Sequence, residues 1–168
     1  SVDWADERVV ILDTRSTDRT APIARSLGAR VVEHRFEDFA RQREFGLGLF
    51  RTGDWLFYLD SDERATPALS QEMRRVIEDE KVVGWWVPRR NFFWGREVRH
   101  GGWSPDYQLR LLHVGYAHYD LTREVHEVVA LDGAEGHLIE PLTHYNYRTV
   151  AQFVAKQRQY VAYEAAIL

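Results

Sequence analysis

The sequence predicts an α/β fold in which a mainly parallel sheet is flanked by helices and the second half is rich in β-strands. Short apolar runs alternate with helical patterns up to about residue 81, as in doubly wound domains. The apolar runs ending at Leu12 and Leu59 each lead directly into an aspartate. Buried parallel strands have this composition, and sites form at their carboxyl ends.

Residues 1–81 contain three strand patterns and three helix patterns. The strands are expected at 8–13, 31–33 and 54–59, and the helices at 21–27, 38–50 and 66–79. Pro22 and Pro67 suit first helical turns, and Thr66 suits a helix N-cap. Residues 1–7 resemble the end of a helix, so we expect the strand that usually opens such a domain to be missing from this chain.

Residues 82–148 change character towards strand patterns. Strands are expected at 82–88, 107–113 and 125–131, with a loop at 91–95 and a returning strand at 96–100. The dipeptide Asp132-Gly133 indicates a hairpin. Residues 149–168 are expected to form a last helix whose apolar stripe packs on the sheet. With 168 residues and no linker-like segment, the chain is expected to form one domain.

The composition argues against several classes of function and kinds of site. The net charge of −4 argues against general binding to nucleic acid. The chain has no cysteine, which excludes disulfides, thiolate metal sites and cysteine nucleophiles. It has no apolar run long enough to span a bilayer. Six tryptophans, eight tyrosines and eight phenylalanines could supply both a core and flat surfaces for sugar rings or bases.

The stretch after the third strand pattern concentrates charge, with carboxylates at Asp60, Asp62 and Glu63. Neighbouring carboxylates repel each other unless a cation lies beside them. Because Mg²⁺ is usually held by one or two carboxylates together with substrate phosphates, the stretch indicates a metal–phosphate site. The alternative is a solvated acidic turn in which Glu63 pairs with Arg64, and Asp-x-Asp alone would favour that alternative.

Six segments together resemble family two glycosyltransferases of the GT-A fold, and especially the bacterial lipopolysaccharide-core glucosyltransferase type. They are residues 9–18, 53–63, 88–95, 101–111, 125–127 and 144–145, and they follow the family's order. The chain departs from the family in the missing first strand, which carries nucleotide contacts there. It also departs at Arg15, where a small residue is usual.

The resemblance implies an inverting transfer of a sugar, a hexose in this type, from a nucleotide-diphosphate donor to a glycan or lipid-linked acceptor. A UDP-sugar is the foremost donor, and Mg²⁺ or Mn²⁺ is the implied cofactor. No nucleic-acid partner is implied. The location is cytoplasmic, at the inner face of the membrane if the basic last helix binds there, although such a helix more often packs on its own sheet.

On the donor side, the resemblance implies metal ligation by Asp62, with Asp60 contacting the ribose or assisting through water. Asp13 would meet the ribose or base, and Arg43 would lie near the nucleotide. His144 would complete the metal shell or touch the diphosphate. The alternatives are a turn cap for Asp13, a solvated helix face for Arg43 and a structural role for His144.

On the acceptor side, Asp106 is the expected base and Glu127 is the alternative. Such a base must be free of the metal and of salt bridges, and the adjacent Trp103 would raise its pKa by desolvation. Acceptor contacts are expected from Trp103, Trp94, Arg110 and His126. Arg110 is also a candidate to pair with a phosphate or with Asp106.

Two other classes remain open from the sequence. A nucleotidyltransferase or phosphohydrolase also uses strand-end aspartates with Mg²⁺, although the chain lacks the glycine-rich basic loop of a nucleotidyltransferase. A truncated, non-catalytic domain that binds a sugar or a partner is the third class. For the fold, the two apolar runs predict that Asp13 and Asp60 end adjacent parallel strands.

Overall fold

The computed structural model of the protein describes residues 1–122 and 129–167, with side chains in the last helix described up to residue 158 and at Val161. The helices are α1 Thr20–Ser26, α2 Phe39–Leu47, α3 Pro67–Val76 and α4 Val150–Ile167. The strands are β1 Val9–Leu12, β2 Arg30–Glu33, β3 Trp55–Phe57, β4 Glu63–Arg64, β5 Val82–Phe93, β6 Arg96–Glu97, β7 Tyr107–His113, β8 Ala117–Tyr119, β9 Val129–Leu131, β10 Ala134–His137 and β11 Leu142–Tyr147.

The α/β class is confirmed, and the described strands form one large sheet and two small ones. The large sheet has the order β3-β7-β5-β11-β4, with β6 and β10 also paired to β5. Both β10 and β11 run parallel to β5, whereas β7 runs antiparallel to it. The small sheets are the parallel pair β1–β2 and the antiparallel pair β8–β9. Among the described strands, the long strand β5 therefore pairs with four others, β6, β7, β10 and β11.

Helices cover both faces of the large sheet. Leu69 and Met73 of α3 pack with Leu111 of β7 in one buried cluster. The next residue along β7, Leu112, packs instead with Ala40 of α2 in a second cluster. Because successive strand residues point to opposite faces, this switch places the sheet between α3 and α2. Thr66 caps α3 by accepting a hydrogen bond from the Leu69 amide, as its sequence position predicts.

A bulge in β7 redirects one side chain. Trp85 of β5 pairs with Leu111, but the next residue, Trp86, pairs with Leu109, so Arg110 is the extra residue. Bulges are frequent beside active sites because they re-aim a side chain. Here the bulge belongs to Arg110, whose buried side chain reaches the acidic residues that follow β3.

Three local predictions are wrong. Residues 91–93 continue β5 as strand, and the turn is confined to Trp94 and Gly95 before β6. Asp132-Gly133 does not join two paired strands, because β9 pairs with β8 and β10 pairs with β5. The stripe of α4 is largely exposed at Val150, Val154 and Val161, while Phe153 packs on the aromatic side chains of β5 and β11.

The predicted adjacency of the strands before Asp13 and Asp60 is also wrong among the described residues. Strand β1 pairs with β2, and β3 pairs with β7, with no ladder between β1 and β3. The two strands approach instead through side chains at Gly46 of α2, where a Cβ would lie 2.8 Å from Tyr58 Oη and 3.0 Å from Ile11 Cδ1. Glycine is therefore needed for the close approach of α2.

Candidate functional site

Asp60 lies between two arginine side chains, Arg43 and Arg110. The Arg43 guanidinium contacts its Oδ1 atom at 3.2 Å, and Arg110 donates to its Oδ2 atom. Burial alone would raise the pKa of Asp60, but the charges of Arg110 and Arg43 lower it below its ordinary value. Asp60 is therefore ionised and held in place, and Arg43, for which the sequence predicts a place near the nucleotide, contacts it directly.

Glu63 is fully buried and supports this arrangement. Its Oε1 atom lies 3.0 Å from Arg110 and 3.4 Å from Arg89, and its Oε2 atom accepts a hydrogen bond from the Asp60 amide at 3.0 Å. Buried carboxylates are tolerated when they are paired and hydrogen-bonded in this way. Glu63 therefore fixes the turn that carries Asp60 and Asp62, and the alternative of a surface pair between Glu63 and Arg64 is wrong.

Asp62 meets His144 because β4 and β11 are paired. His144 lies opposite Glu63 in that antiparallel ladder, and the Tyr145 amide donates to the Asp62 carbonyl at 2.9 Å. The two side chains approach to 3.5 Å, between His144 Nε2 and Asp62 Oδ2. The interaction with His144 lowers the pKa of Asp62. The predicted pair of metal ligands is thus brought together.

The residues present fit a divalent cation in part. Within residues 1–122 and 129–167, no three His, Asp or Glu side chains converge closely enough to hold a metal by themselves. Asp62 and His144 offer one oxygen and one nitrogen at adjacent positions, and Mg²⁺ sites commonly obtain further oxygens from substrate phosphates and water. The pair therefore suits a cation that binds together with a diphosphate.

Asn91 joins His144 to Asp106 in the centre of the site. Its Nδ2 atom donates to Asp106 Oδ2 at 2.8 Å, and its Oδ1 atom lies 2.6 Å from His144 Nδ1. Asn91 has no exposed surface, and it lies near the end of β5 beside β11. The donor-side acid Asp62 and the acceptor-side candidate Asp106 are therefore linked through two intervening side chains.

The environment of Asp106 differs from the one expected for a base with a raised pKa. Its carboxylate accepts from Arg89, Asn91 and Gln108, with Arg89 Nη2 at 2.8 Å from Oδ2. Burial would raise the pKa of Asp106, but the hydrogen bond from Asn91 and the charge of Arg89 lower it below the ordinary value. The expectations of a raised pKa and of freedom from salt bridges are both wrong.

Arg110 lies beside Asp60, one of the residues expected to contact the donor, and away from its own expected place at the acceptor. It is buried and contacts Asp60 and Glu63, so the suggested pairing with Asp106 is wrong, and Arg89 takes that position. The bulge in β7 explains the difference, because a regular strand would give Arg110 another direction.

Asp13 is held by the residue at which the chain departs from the family pattern. Arg15 contacts both carboxylate oxygens of Asp13, with Nη2 at 2.7 Å from Oδ2, and also donates to the Phe36 carbonyl at 3.0 Å. These hydrogen bonds lower the pKa of Asp13 to about 2. A ribose or base would therefore share Asp13 with Arg15.

Two adjacent cavities of about 410 and 420 Å³ border Asp62. Both are lined by Tyr145, Tyr147 and Arg148. The first also reaches Lys156, and the second reaches Arg64. This side of Asp62 is therefore cationic and aromatic, which suits anionic and sugar groups.

Aromatic side chains surround the second half of the site. Trp94 is 47% exposed at the β5–β6 turn and has a φ of 53°, an uncommon value for a residue other than glycine. Trp103 packs its ring edge-to-face on Phe93 at 4.8 Å between centroids, while its carbonyl accepts from Asn91. Trp94 is thus presented to solvent, whereas Trp103 is partly committed to packing.

Two predicted site residues, His126 and Glu127, lie outside the described residues. Three further residues are central in the structure, namely Glu63, Arg89 and Asn91. From the sequence, Glu63 is considered only as part of the acidic stretch, and Arg89 and Asn91 have no individual role. Glu63 and Asn91 are fully buried polar residues, and the only signal in the sequence is their position within or beside apolar strand patterns. In the described part of the chain, no helix has the length and apolar character needed to cross a membrane.

Fold and site together define an α/β domain that gathers ionised aspartates at strand ends, beside a histidine and a cationic cavity. The family profile described as "Glycosyl transferase family 2" matches residues 2–128. The chain therefore belongs to glycosyl transferase family 2 and has the GT-A fold that the sequence predicted.

Curated relatives agree with this family. The chain is 28% identical to the lipopolysaccharide core biosynthesis glycosyltransferase LpsC of Rhizobium meliloti, over 94% of this chain and 60% of that protein. It is 36% identical to an uncharacterized glycosyltransferase of Rickettsia bellii, over 44% of this chain and 24% of that protein. A TPR repeat-containing protein of Synechococcus elongatus is 30% identical over 76% of this chain and 30% of its own length. The chain thus spans less than two thirds of these relatives.

Proposed function

We propose that the protein is an inverting glycosyltransferase that transfers a sugar, specifically a hexose, from a nucleotide diphosphate to an acceptor hydroxyl with the help of Mg²⁺ or Mn²⁺. The observation that carries the proposal is the linkage of Asp62, His144, Asn91 and Asp106, since it combines a donor-side cation pair with an acceptor-side carboxylate. The family membership supports the reaction class.

On the donor side, Asp62 and His144 would hold the cation together with the diphosphate. When bound, the cation would neutralise charge that develops on the leaving diphosphate. Arg43 and Arg110 fix Asp60, which accepts hydrogen bonds from the ribose, and Asp13 with Arg15 borders the nucleoside. These contacts orient the anomeric carbon towards the acceptor. UDP is the proposed nucleotide.

On the acceptor side, Asp106 takes the proton of the attacking hydroxyl. The new bond forms between that oxygen and the anomeric carbon, the bond to the diphosphate oxygen breaks, and its electron pair leaves with the diphosphate. The lowered pKa of Asp106 keeps it deprotonated, as a base must be, although it also lowers its basicity. Glu127, outside the described residues, is the alternative base. Trp94, Trp103 and His126 are proposed acceptor contacts.

The likeness to LpsC supports, within this proposal, a glycan or lipid-linked acceptor of lipopolysaccharide core synthesis. The proposed location is the cytoplasmic face of the membrane, where nucleotide sugars are available, with peripheral contact through the exposed valines and basic residues of α4. Arg148 and Lys156 border the cavity beside Asp62, which suits an anionic substrate there.

Calorimetric titration of UDP, GDP and ADP, each with and without Mn²⁺, tests the donor site. We expect one nucleotide to bind in a metal-dependent manner, and absence of such binding for all three would refute the proposal. Incubation with the corresponding nucleotide sugars then separates the reaction classes. Sugar release without an acceptor would indicate a hydrolase, and binding without turnover would indicate a non-catalytic domain.

A further inference from the structure

Asn91 makes three hydrogen bonds through one side-chain amide while fully buried. Nδ2 donates to the Trp103 carbonyl at 2.9 Å and to Asp106 Oδ2 at 2.8 Å, and Oδ1 lies 2.6 Å from His144 Nδ1. The proposed function uses this residue only as a link between His144 and Asp106 and assigns it no contact with the substrate, since its side chain is fully buried. Its two ends nevertheless contact one residue from each side of the reaction.

The orientation of this amide follows from its partners. A carbonyl and an ionised carboxylate are acceptors only, so the group facing Trp103 and Asp106 must be the NH₂ donor. Rotating the amide by half a turn would place its oxygen against the Trp103 carbonyl and the Asp106 carboxylate, with no hydrogen between the buried amide oxygen and either acceptor. Oδ1 therefore faces His144, and the alternative assignment is excluded by hydrogen-bond chemistry.

The amide orientation in turn fixes the histidine. Because Asn91 Oδ1 can only accept, the hydrogen of the neutral imidazole must lie on Nδ1 of His144. The lone pair of the neutral ring then lies on Nε2, which is 3.5 Å from Asp62 Oδ2. Two electron-pair donors thus face the same space, which is the arrangement that a cation needs.

We propose that Asn91 is a positioning residue that sets the Nδ1–H tautomer of His144 and, through the same amide, holds Asp106. Metal-binding histidines usually depend on such a partner at their other ring nitrogen. Here one side chain serves both the donor and the acceptor side, so a shift on either side is transmitted to the other. The hydrogen bonds alone determine the tautomer of His144, and only the role of that tautomer in metal binding rests on the proposed function.

Three variants separate the parts of this proposal. Asn91→Leu removes both the acceptor for His144 and the donor for Asp106. Asn91→Asp retains an acceptor oxygen for His144 Nδ1 but replaces the amide donor with a second oxygen that faces Asp106 and the Trp103 carbonyl. Gln108→Leu is the matched control, because Gln108 donates to Asp106 Oδ1 at 3.0 Å and has no hydrogen bond to His144 within the described part of the chain.

The test is nitrogen-15 NMR of the histidine rings in metal-free protein labelled on histidine. The chain has seven histidines, and the pattern lost in His144→Gln assigns the relevant ring. We expect the neutral His144 ring to carry its hydrogen on Nδ1 in the wild type, in Asn91→Asp and in Gln108→Leu, and on Nε2 at least in part in Asn91→Leu. A neutral wild-type ring with hydrogen on Nε2 would overturn the proposal, and this result needs only the wild type and the assigning variant His144→Gln.

A second readout uses the Mn²⁺ concentration that supports UDP binding in calorimetry. We expect Asn91→Leu to require about 10- to 100-fold more Mn²⁺, the usual effect of losing a partner of a metal ligand. Asn91→Asp and Gln108→Leu should stay near the wild type. If the wild type shows no metal-dependent binding, the proposed function fails while the ring spectra still decide the tautomer. If wild-type binding is present and Asn91→Leu leaves the Mn²⁺ requirement unchanged, the positioning role fails and the function stands.

Discussion

The Nε2 atom of His144 lies 3.5 Å from Oδ2 of Asp62, although the two residues come from distant segments of the chain. The short antiparallel ladder between β4 and β11 creates this proximity, since it aligns His144 with Glu63. A carboxylate and an imidazole nitrogen at this separation attract either a proton or a cation. The pair is therefore the place where the proposed metal dependence should originate.

The first prediction concerns Asp62→Asn. The substitution keeps the shape of the side chain but removes the charge of one hard oxygen ligand, so we expect the Mn²⁺ dependence of nucleotide binding to be lost while the fold is retained. Calorimetry with UDP, with and without Mn²⁺, measures the first effect, and circular dichroism checks the second. Asp6→Asn, at an exposed site, is the control. Unchanged metal dependence in Asp62→Asn would place the cation elsewhere.

The second prediction concerns the base. Asp106→Asn should lower the transfer rate by about 10²- to 10⁴-fold, because a positioned base contributes about that much. Donor affinity should remain near the wild-type value, since Asp106 lies on the other side of Asn91 from Asp62 and His144. Steady-state kinetics with a nucleotide sugar and calorimetry with UDP supply the two values.

The comparison with Glu127→Gln decides between the two candidate carboxylates. If Asp106 is the base, its lowered pKa keeps it ionised at neutral and mildly acidic pH, and the ratio of wild-type to Asp106→Asn activity should be constant from about pH 5 to 8. A large loss in Glu127→Gln together with a small loss in Asp106→Asn would assign the base to Glu127.

The third prediction concerns stability in acid. Asp60, Asp62 and Asp106 all have a lowered pKa in the folded protein. Each such carboxyl contributes stability above its unfolded-state pKa of about 3.9, and this contribution is lost as the pH falls through that value towards the folded-state pKa. The free energy of unfolding should be level from about pH 7 to 5 with respect to these groups, and should decline below about pH 4.

Urea denaturation at fixed temperature and a series of pH values measures this decline. The Asp106→Asn variant should show a shallower slope in the acid range, since it removes one of the three carboxyls. A wild-type slope that Asp106→Asn leaves unaltered would show that the pKa of Asp106 is not lowered by folding.

Much of the first half of the fold could be predicted from the sequence, because the spacing of its apolar residues indicates where its strands and helices lie. The strands at β1, β2 and β3 and the capped helix α3 lie where apolar runs, Thr66 and Pro67 indicate. The convergence of Asp62 and His144 follows from their expected roles as metal ligands, whereas the sequence predicts no pairing of Asp60 with Arg43.

The rest of the site could not be predicted from the spacing of apolar residues. Some of its buried strand positions carry polar side chains, and one side chain depends on a bulge. In β11, the buried positions include His144 as well as Leu142 and Tyr147, so the strand lacks a clear apolar alternation. In β5, Asn91 is buried but polar, and the sequence predicts a loop at this position. The direction of Arg110 depends on a bulge, which is set by the register between two strands and by no local signal.

The fourth prediction concerns Glu63, whose carboxylate is buried between Arg110 and Arg89. Glu63→Ala should lower the free energy of unfolding by about 3–5 kcal/mol, because it removes the buried carboxylate that pairs with Arg110 and Arg89 and leaves Arg110 with the half-exposed Asp60 as its remaining described carboxylate partner. Chemical denaturation measures the loss. Glu97→Ala is the matched control, since Glu97 pairs with Arg90 and Arg99 at the surface and should cost much less. Equal losses in the two variants would contradict a structural role specific to Glu63.

The fifth prediction concerns Trp94, which occupies a left-handed backbone position in the two-residue turn between β5 and β6. Its φ of 53° and that of Gly95, 76°, suit the type I′ turns that favour Asn-Gly. Tryptophan is a costly choice there, and backbone strain of this kind is often retained for function. Its ring is 47% exposed and leans on Phe93 and Phe153. An exposed, rigidly held ring at this end of the site is suited to stacking on an acceptor sugar.

We therefore expect Trp94→Asn to raise the KM for the acceptor while leaving donor affinity unchanged. The free energy of unfolding should change little, because the relief of the left-handed tryptophan offsets the loss of ring contacts of about 0.5–1.5 kcal/mol. Tyr116→Asn is the control, since Tyr116 is also exposed but lies in the turn after β7, at the opposite end of that strand from Asp106. A large loss of stability in Trp94→Asn with an unaltered acceptor KM would make Trp94 a packing residue. A higher acceptor KM at an unaltered free energy of unfolding would show that Trp94 contributes to substrate binding, because the fold would be equally stable with asparagine at this position.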